Sequence, residues 1–285
     1  MSSAVKEHSA AKLCHVLKYV SFITKNNDLP FVVKRRVFEA ALMSAVLYGC
    51  ESWVNADYKP VTKLYNWALK QMLGVRKTTS NMVCYAEVGL PSLPDLIKFK
   101  QHNFFRNVWL ERSGMDDDPL ILAIRVTLAS RTPTSRNIDT FISTEPPSLS
   151  TIIENVCNVI DHSDSSRCKT YKEINPQFKV HDIYKQKHLV NEFHRISFTR
   201  FRLCGHSLAI ETGRWNGRGR GRLPVEERLC RCGGVQTERH AVEACPLTAH
   251  IKMAYGVNVL EDIFNGDLSC ESACKILHEV LDILE

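Results

Sequence analysis

Three apolar stripes at helical spacing, each running into a glycine, constrain this 285-residue chain more than any other feature. In "LPFVVKRRVFEAALMSAVLYG", Pro30 sits where a first helical turn tolerates it, and Val33, Val37, Ala41 and Ala45 with Val46 line one face. Gly49 then suits the left-handed residue that ends a helix. "KPVTKLYNWALKQMLG" repeats the design, with Leu64, Trp67, Leu69, Met72 and Leu73 mostly inward and Gly74 as the stop. A longer third helix is capped near Ser92 and ends by Gly114. With no hairpin signal between them, these runs predict a mainly α chain whose first 130 residues form a helical bundle.

Composition then shifts around residues 131–149, where Thr, Ser and Pro dominate without an apolar period, which predicts a linker or a long irregular loop. A helix is expected in "LSTIIENVCNVIDH", followed by an unassigned polar segment. Helical character resumes near residue 181, and the tail carries Leu277, Val280, Leu281 and Leu284 on one face. The expected organisation is a helical domain over 1–130, a linker with irregular helix over 131–180, an Arg- and Cys-rich module over 181–255 and a helical tail over 256–285.

Hydrophobic residues make up 44% of the chain, enough for a core, and no stretch reaches the roughly 18 uncharged apolar residues of a membrane span. The beginning of the sequence lacks a basic segment followed by a long apolar run, so an intracellular, reducing location and no membrane partner are expected. Reduction leaves metal binding, catalysis or burial as uses for the 11 cysteines. Cys14, Cys50, Cys84, Cys157 and Cys168 stand apart and read as small buried hydrophobes.

Cysteines gather in "RLCRCGGVQTERHAVEACP", as Cys230-x-Cys232-x7-His240-x4-Cys245. Three thiolates and an imidazole are the soft and borderline donors that tetrahedral zinc takes. Gly233 and Gly234 allow a tight turn after the first pair, and "ERHAVEACP" can start a short helix presenting His240 and Cys245 about one turn apart. A single residue between Cys230 and Cys232 is shorter than structural zinc sites use, so Cys204, His206 and His250 stand as alternative ligands.

The formal net charge of +6 lies in the same region. Between Arg195 and Arg239 there are ten Arg, no Lys and four Glu, a sum of +6, leaving 27 basic and 27 acidic residues elsewhere. Arg214, Arg218, Arg220 and Arg222 alternate with small residues and suit phosphate contacts, and Trp215 offers either a stacking face for a base or an anchor for the loop. RNA or single-stranded nucleic acid is the expected partner. "GMDDDPL" holds paired aspartates of the kind two-metal chemistry uses, but Asp118 before Pro119 reads as a helix cap. No nucleophile elbow, phosphate loop or His-Glu helix motif is present, so no catalytic centre is expected.

Several stretches resemble one family. "KRRVFEAALMSAVLYGCESW" and "LYNWALKQMLGVRKTTSNMVCYAEVGLPSL" are similar to the region just after the polymerase palm in LINE-type (non-LTR), jockey-like retrotransposon reverse transcriptases. Leu47–Trp53 and Glu87–Leu93 are the most telling segments. "FRLCGHSLAIETGRW" followed by "CRCGGVQTERHAVEACP" resembles the C-terminal zinc-binding segment of the same proteins, and residues 126–190 match poorly. The resemblance implies a thumb-like helical region that grips template and primer, a zinc knuckle handling element RNA, and Cys230, Cys232, His240 and Cys245 as ligands. It also implies a missing palm domain as partner, because the family's aromatic-x-Asp-Asp element is not in this sequence. The expectation is therefore a non-catalytic C-terminal part of an RNA-directed DNA polymerase. The alternatives are the tail of an active reverse transcriptase and a helical interaction domain without metal.

Overall fold

The computed structural model describes residues 2–188, 190–215, 221–265 and 268–285. The described residues are mainly helical and contain no strand, with one isolated antiparallel bridge between Leu229 and Val235. The first half comprises α1 (Ser2–Lys25), α2 (Phe31–Val37), α3 (Ser44–Val46), α4 (Lys59–Leu73), α5 (Asn81–Val88), α6 (Leu93–Arg112) and α7 (Pro119–Ala129). Then come α8 (Pro133–Ser143), α9 (Leu149–Asp161), α10 (Ser166–Ile174), α11 (Glu192–Arg202), α12 (Ala209–Thr212), α13 (Ala249–Tyr255), α14 (Leu260–Asn265) and α15 (Cys270–Leu284).

Local chemistry starts and stops these helices largely as the sequence implies. Gly74 takes a positive φ of 74° where α4 ends, whereas α3 already ends at Leu47, and Gly49, at φ 71°, opens the 3-10 turn Cys50–Ser52 instead of stopping a helix. The Ser92 hydroxyl accepts from the Asp95 N–H to open α6, which ends at Arg112. The Asp118 carboxylate accepts from the N–H groups of Leu120 and Ile121, so the aspartate run is a cap.

Three further local expectations are corrected, and a segment left open by the sequence is filled. The buried face of the second helical run is Phe31, Lys34, Phe38, Leu42 and Val46, while Val33 is exposed. Lys34 enters the core because it finds a carboxylate there, and a π-helix over Phe38–Met43 joins α2 to α3 and shifts the phase of the stripe. The Ser/Thr/Pro-rich stretch is not irregular throughout: the Thr132 hydroxyl accepts from the Ser135 N–H, Pro133 occupies the first turn, and α8 follows. The run from residue 181 is a 3-10 turn at Asp182–Tyr184, and α11 begins only where Asn191 accepts from Phe193 and His194. The unassigned polar segment contains α10.

One hydrophobic cluster runs from Val5 to Leu284 and includes Cys230 and Cys245, so the core continues across the divisions suggested by composition. A smaller cluster joins α6, α7 and α8 through Phe105, Val108, Ile121, Ile124 and Ile138. Cys50, Cys84 and Cys168 are buried as expected, whereas Cys157 is half-buried and the Cys14 side chain lies outside those described. Burial pushes the Cys50 and Cys84 thiols up to about 12, which keeps them protonated and inert.

Helix α11 is the hub of this core. Glu192 pairs with Lys34 of α2 at 2.7 Å and with Arg195 at 2.8 Å, all three side chains buried. Burial alone would raise the Glu192 carboxyl, but Arg195 and Lys34 outweigh it and hold the group below the usual carboxylate range. Arg195 also donates to the Met72 and Leu73 carbonyls, which lack intrahelical partners at the end of α4. Arg202 pairs with Glu87 of α5 at 2.7 Å, and the Tyr171 hydroxyl of α10 donates to the same carboxylate at 2.8 Å. On its remaining side α11 packs along α15, where Leu277, Val280, Leu281 and Leu284 are all buried.

Candidate metal centre

The segment after α12 is folded by its own backbone. Gln236 N–H donates to the Arg228 carbonyl at 2.8 Å, Cys230 N–H to the Gly234 carbonyl at 2.7 Å, and Gly233 N–H to the Cys230 carbonyl at 2.9 Å. Gly233 adopts φ 92°, a left-handed value that a side chain rarely tolerates. Gly234 is needed for space, because a Cβ there would stand 2.7 Å from His240 Cε1. The imidazole therefore lies directly against the turn that carries the first cysteine pair.

A second turn supplies the other pair. The Thr237 hydroxyl accepts from His240 N–H at 3.0 Å, and residues His240–Ala244 form a π-helix. Its wide turn closes with Cys245 N–H donating to the His240 carbonyl at 2.8 Å, which returns Cys245 beneath the histidine. The expected helical presentation of His240 and Cys245 is thus met by a π turn.

The two turns bring Cys230, Cys232, His240 and Cys245 together, with all four ligand atoms within 4.8 Å of one another. Sγ of Cys245 is 3.8 Å from that of Cys230 and 3.8 Å from that of Cys232, and Cys232 Sγ is 3.1 Å from His240 Nε2. Cys230 and Cys245 are buried, and Cys232 and His240 half-buried. A hydrogen bond from the Gly234 backbone lowers the Cys232 thiol, while burial raises that of Cys245. This Cys3His cluster could hold one metal ion. The single residue between Cys230 and Cys232 is no obstacle, since Cys232 sits at the tip of the turn.

Of the alternative ligands, none belongs to this group. His250 is exposed. Cys204 falls in a second buried group with Glu211 and Glu238, and His206 Nε2 lies 3.0 Å from Glu238. Glu211 is already matched by Arg167 and Arg214, both at 2.6 Å, so this second group reads as a compensated ion cluster.

Sequence reasoning missed the residues that steady the ligand turns. Gln236 Nε2 donates to Cys230 Sγ at 3.8 Å and to the Leu284 carbonyl at 3.3 Å, tying the first cysteine to α15. Glu238, two residues before His240, is pinned by His206, 32 residues away. Both partners are remote in sequence, so no local pattern announces them.

The arginine-rich expectation divides. Arg214 is turned inward, with Nε on Glu211 and a terminal nitrogen donating to the Ser166 hydroxyl of α10, so it is a bridge within the fold rather than a phosphate contact. Arg222 is exposed. Arg218 and Arg220, and the side chain of Trp215, lie outside the described residues. No described helix is long and apolar enough to cross a membrane. Comparison with known protein families, curated proteins and solved structures finds no match.

Proposed function

We propose that the chain is a non-catalytic nucleic-acid-binding protein, the C-terminal part of a non-LTR retrotransposon reverse transcriptase, which holds RNA or single-stranded nucleic acid beside a zinc knuckle. The observation that carries this reading is the Cys3His cluster, whose first two residues fall within Arg195–Arg239, the stretch whose charge of +6 equals the chain's net charge, and whose last two follow directly on it. Zinc is favoured by the donor set and by size. Sulfurs at ~2.3 Å from a tetrahedral centre lie ~3.8 Å apart, and two sulfur pairs here are 3.8 Å apart. Four protein donors leave no open coordination position, so the metal would supply structure rather than Lewis-acid chemistry.

In this reading the metal fixes the turn that follows the arginine-rich segment. Arg218, Arg220 and Arg222 contact phosphates and Trp215 stacks on a base, while Arg214 braces the segment through Glu211. The resemblance of the upstream helices supports a thumb-like role next to a polymerase palm. The test is binding of a fluorescent single-stranded RNA by the full-length, zinc-loaded chain across a salt series. Affinity should fall steeply, with a log–log slope of roughly −2 for about three phosphate contacts on a single strand. A salt-independent curve would sink the proposal.

A further inference from the structure

Next to the metal centre, α10, α12, the 222–228 segment, the Thr237–Arg239 stretch and α14 enclose a cleft of about 460 Å³, a size that suits a small organic ligand. Ile174, Ile210, Leu260 and Phe264 give it an apolar, buried floor, and Val225 stands exposed among its lining residues. Arg228 lines the same space and is buried. Its Nε and Nη2 donate to the Leu223 carbonyl at 3.1 and 2.6 Å, and Nη1 to the Ile210 carbonyl at 2.9 Å.

These partners are all neutral. The other deeply buried arginines, Arg195 and Arg202, each face a carboxylate, whereas Arg228 makes no ion pair among the described residues. Glu211 and Glu226 act on Arg228 only from a distance, against Arg214 and Arg222, so a buried guanidinium without a direct carboxylate partner is costly here and an anion entering the cleft would relieve that cost. The position is built rather than incidental. A Cβ on Gly213 would lie 2.6 Å from Arg228 Cγ and 2.8 Å from Cδ, so only glycine leaves room for the side chain. Carbonyls take three of the five guanidinium N–H groups, and no hydrogen bond to another described residue takes the other two.

We propose that this cleft takes one nucleotide unit of a single strand, its base on the floor formed by Ile174, Ile210 and Phe264 and its phosphate on Arg228, with Arg222 also at the phosphate. The site rests on the nucleic-acid reading above and adds to it a place where a base is buried. Glu173, Glu238 and Glu261 also line the cleft, but His206 holds Glu238 and Arg239 holds Glu261. An apolar floor beside the buried Arg228 therefore matches a flat ring joined to one phosphate better than it matches an acidic peptide, which offers several carboxylates and no flat apolar body. Because Thr237 and Arg239 precede His240, the turn that carries this candidate ligand forms one wall, and removing metal from the chain should weaken the cleft.

The test uses the full-length, metal-loaded chain and calorimetry with AMP, ribose 5-phosphate and inorganic phosphate. AMP should bind about tenfold tighter than ribose 5-phosphate, the worth of one buried, stacked base. Val225→Trp, at an exposed position, should fill the cleft and weaken AMP about tenfold, and it should weaken long single-stranded RNA by up to the same factor, the loss of one nucleotide's contacts. Equal affinity for AMP and ribose 5-phosphate in the unmodified chain would overturn the proposal whatever the variant does. RNA binding without AMP binding removes the cleft and leaves the nucleic-acid reading standing; AMP binding without RNA binding does the reverse.

Discussion

Glu87 and Arg202 lie 115 residues apart in sequence and meet in a fully buried ion pair at 2.7 Å. The pair joins α5 to α11, and with Lys34–Glu192 it fastens the cysteine-rich half to the helices that precede it. Removing one partner leaves the other charge buried and unmatched. Glu87→Gln should therefore destabilise the protein by about 3–5 kcal/mol, measured by urea denaturation. A loss below about 1 kcal/mol would mean that water reaches the pair.

The same contacts set what can fold alone. A fragment of residues 190–285 keeps the metal ligands but loses Glu87, Lys34 and the α4 carbonyls that hold Arg202, Glu192 and Arg195. Its thermal melt should show no cooperative transition, even with metal added. A sharp transition would show that the ligand turns carry a core of their own.

Metal should be bound at one zinc per chain, by mass spectrometry of the purified protein. Cys245→Ser should bring this below about half an equivalent and lower the melting temperature by roughly 5 °C or more. Gly234→Ala tests the geometry more finely, since the added methyl meets His240 Cε1 at 2.7 Å. It should weaken zinc about 10–100-fold in competition with a chromophoric chelator while the upstream helices stay folded.

Arg214 and Arg222 should part company on substitution. Arg214→Ala unbalances Glu211 and costs stability, whereas Arg222→Ala leaves the melt unchanged and weakens RNA binding. Equal effects of both variants on RNA affinity, with both melts unchanged, would contradict the inward placement of Arg214.

His181 sets a pH dependence. Burial, and then the neighbouring Arg202, depress its folded value from 6.5 to about 4, despite Glu87 and Asp182 acting the other way. The unfolded chain thus takes up this proton before the folded one does. Stability from this group is complete above about pH 6.5 and is lost as pH falls towards 4, by up to about 3 kcal/mol. His181→Gln should flatten the denaturation midpoint over that window.

Much of this could be read in the chain before its fold was known, and the gaps have physical causes. The caps at Ser92 and Asp118, the stop at Gly74 and the four candidate ligands depend on neighbours close in sequence. The apolar spacing of α2 does not reveal that Lys34 turns inward, because only Glu192, 158 residues on, explains its burial. Helix α8 did carry a signal, Thr132–Pro133 before Ile138, Phe141 and Ile142, which its Ser/Thr/Pro content masked. Arg228, Gln236 and Glu238 take their roles from partners that no spacing rule links to them.

The wide turn from His240 to Cys245 imposes a rule on length rather than on composition. Four residues separate the two ligands, and each residue gained or lost would swing Cys245 by roughly a quarter of a turn around the axis of the π-helix, away from the other donors. Single exchanges among exposed positions of that stretch should be tolerated, whereas a one-codon insertion or deletion there should empty the site outright.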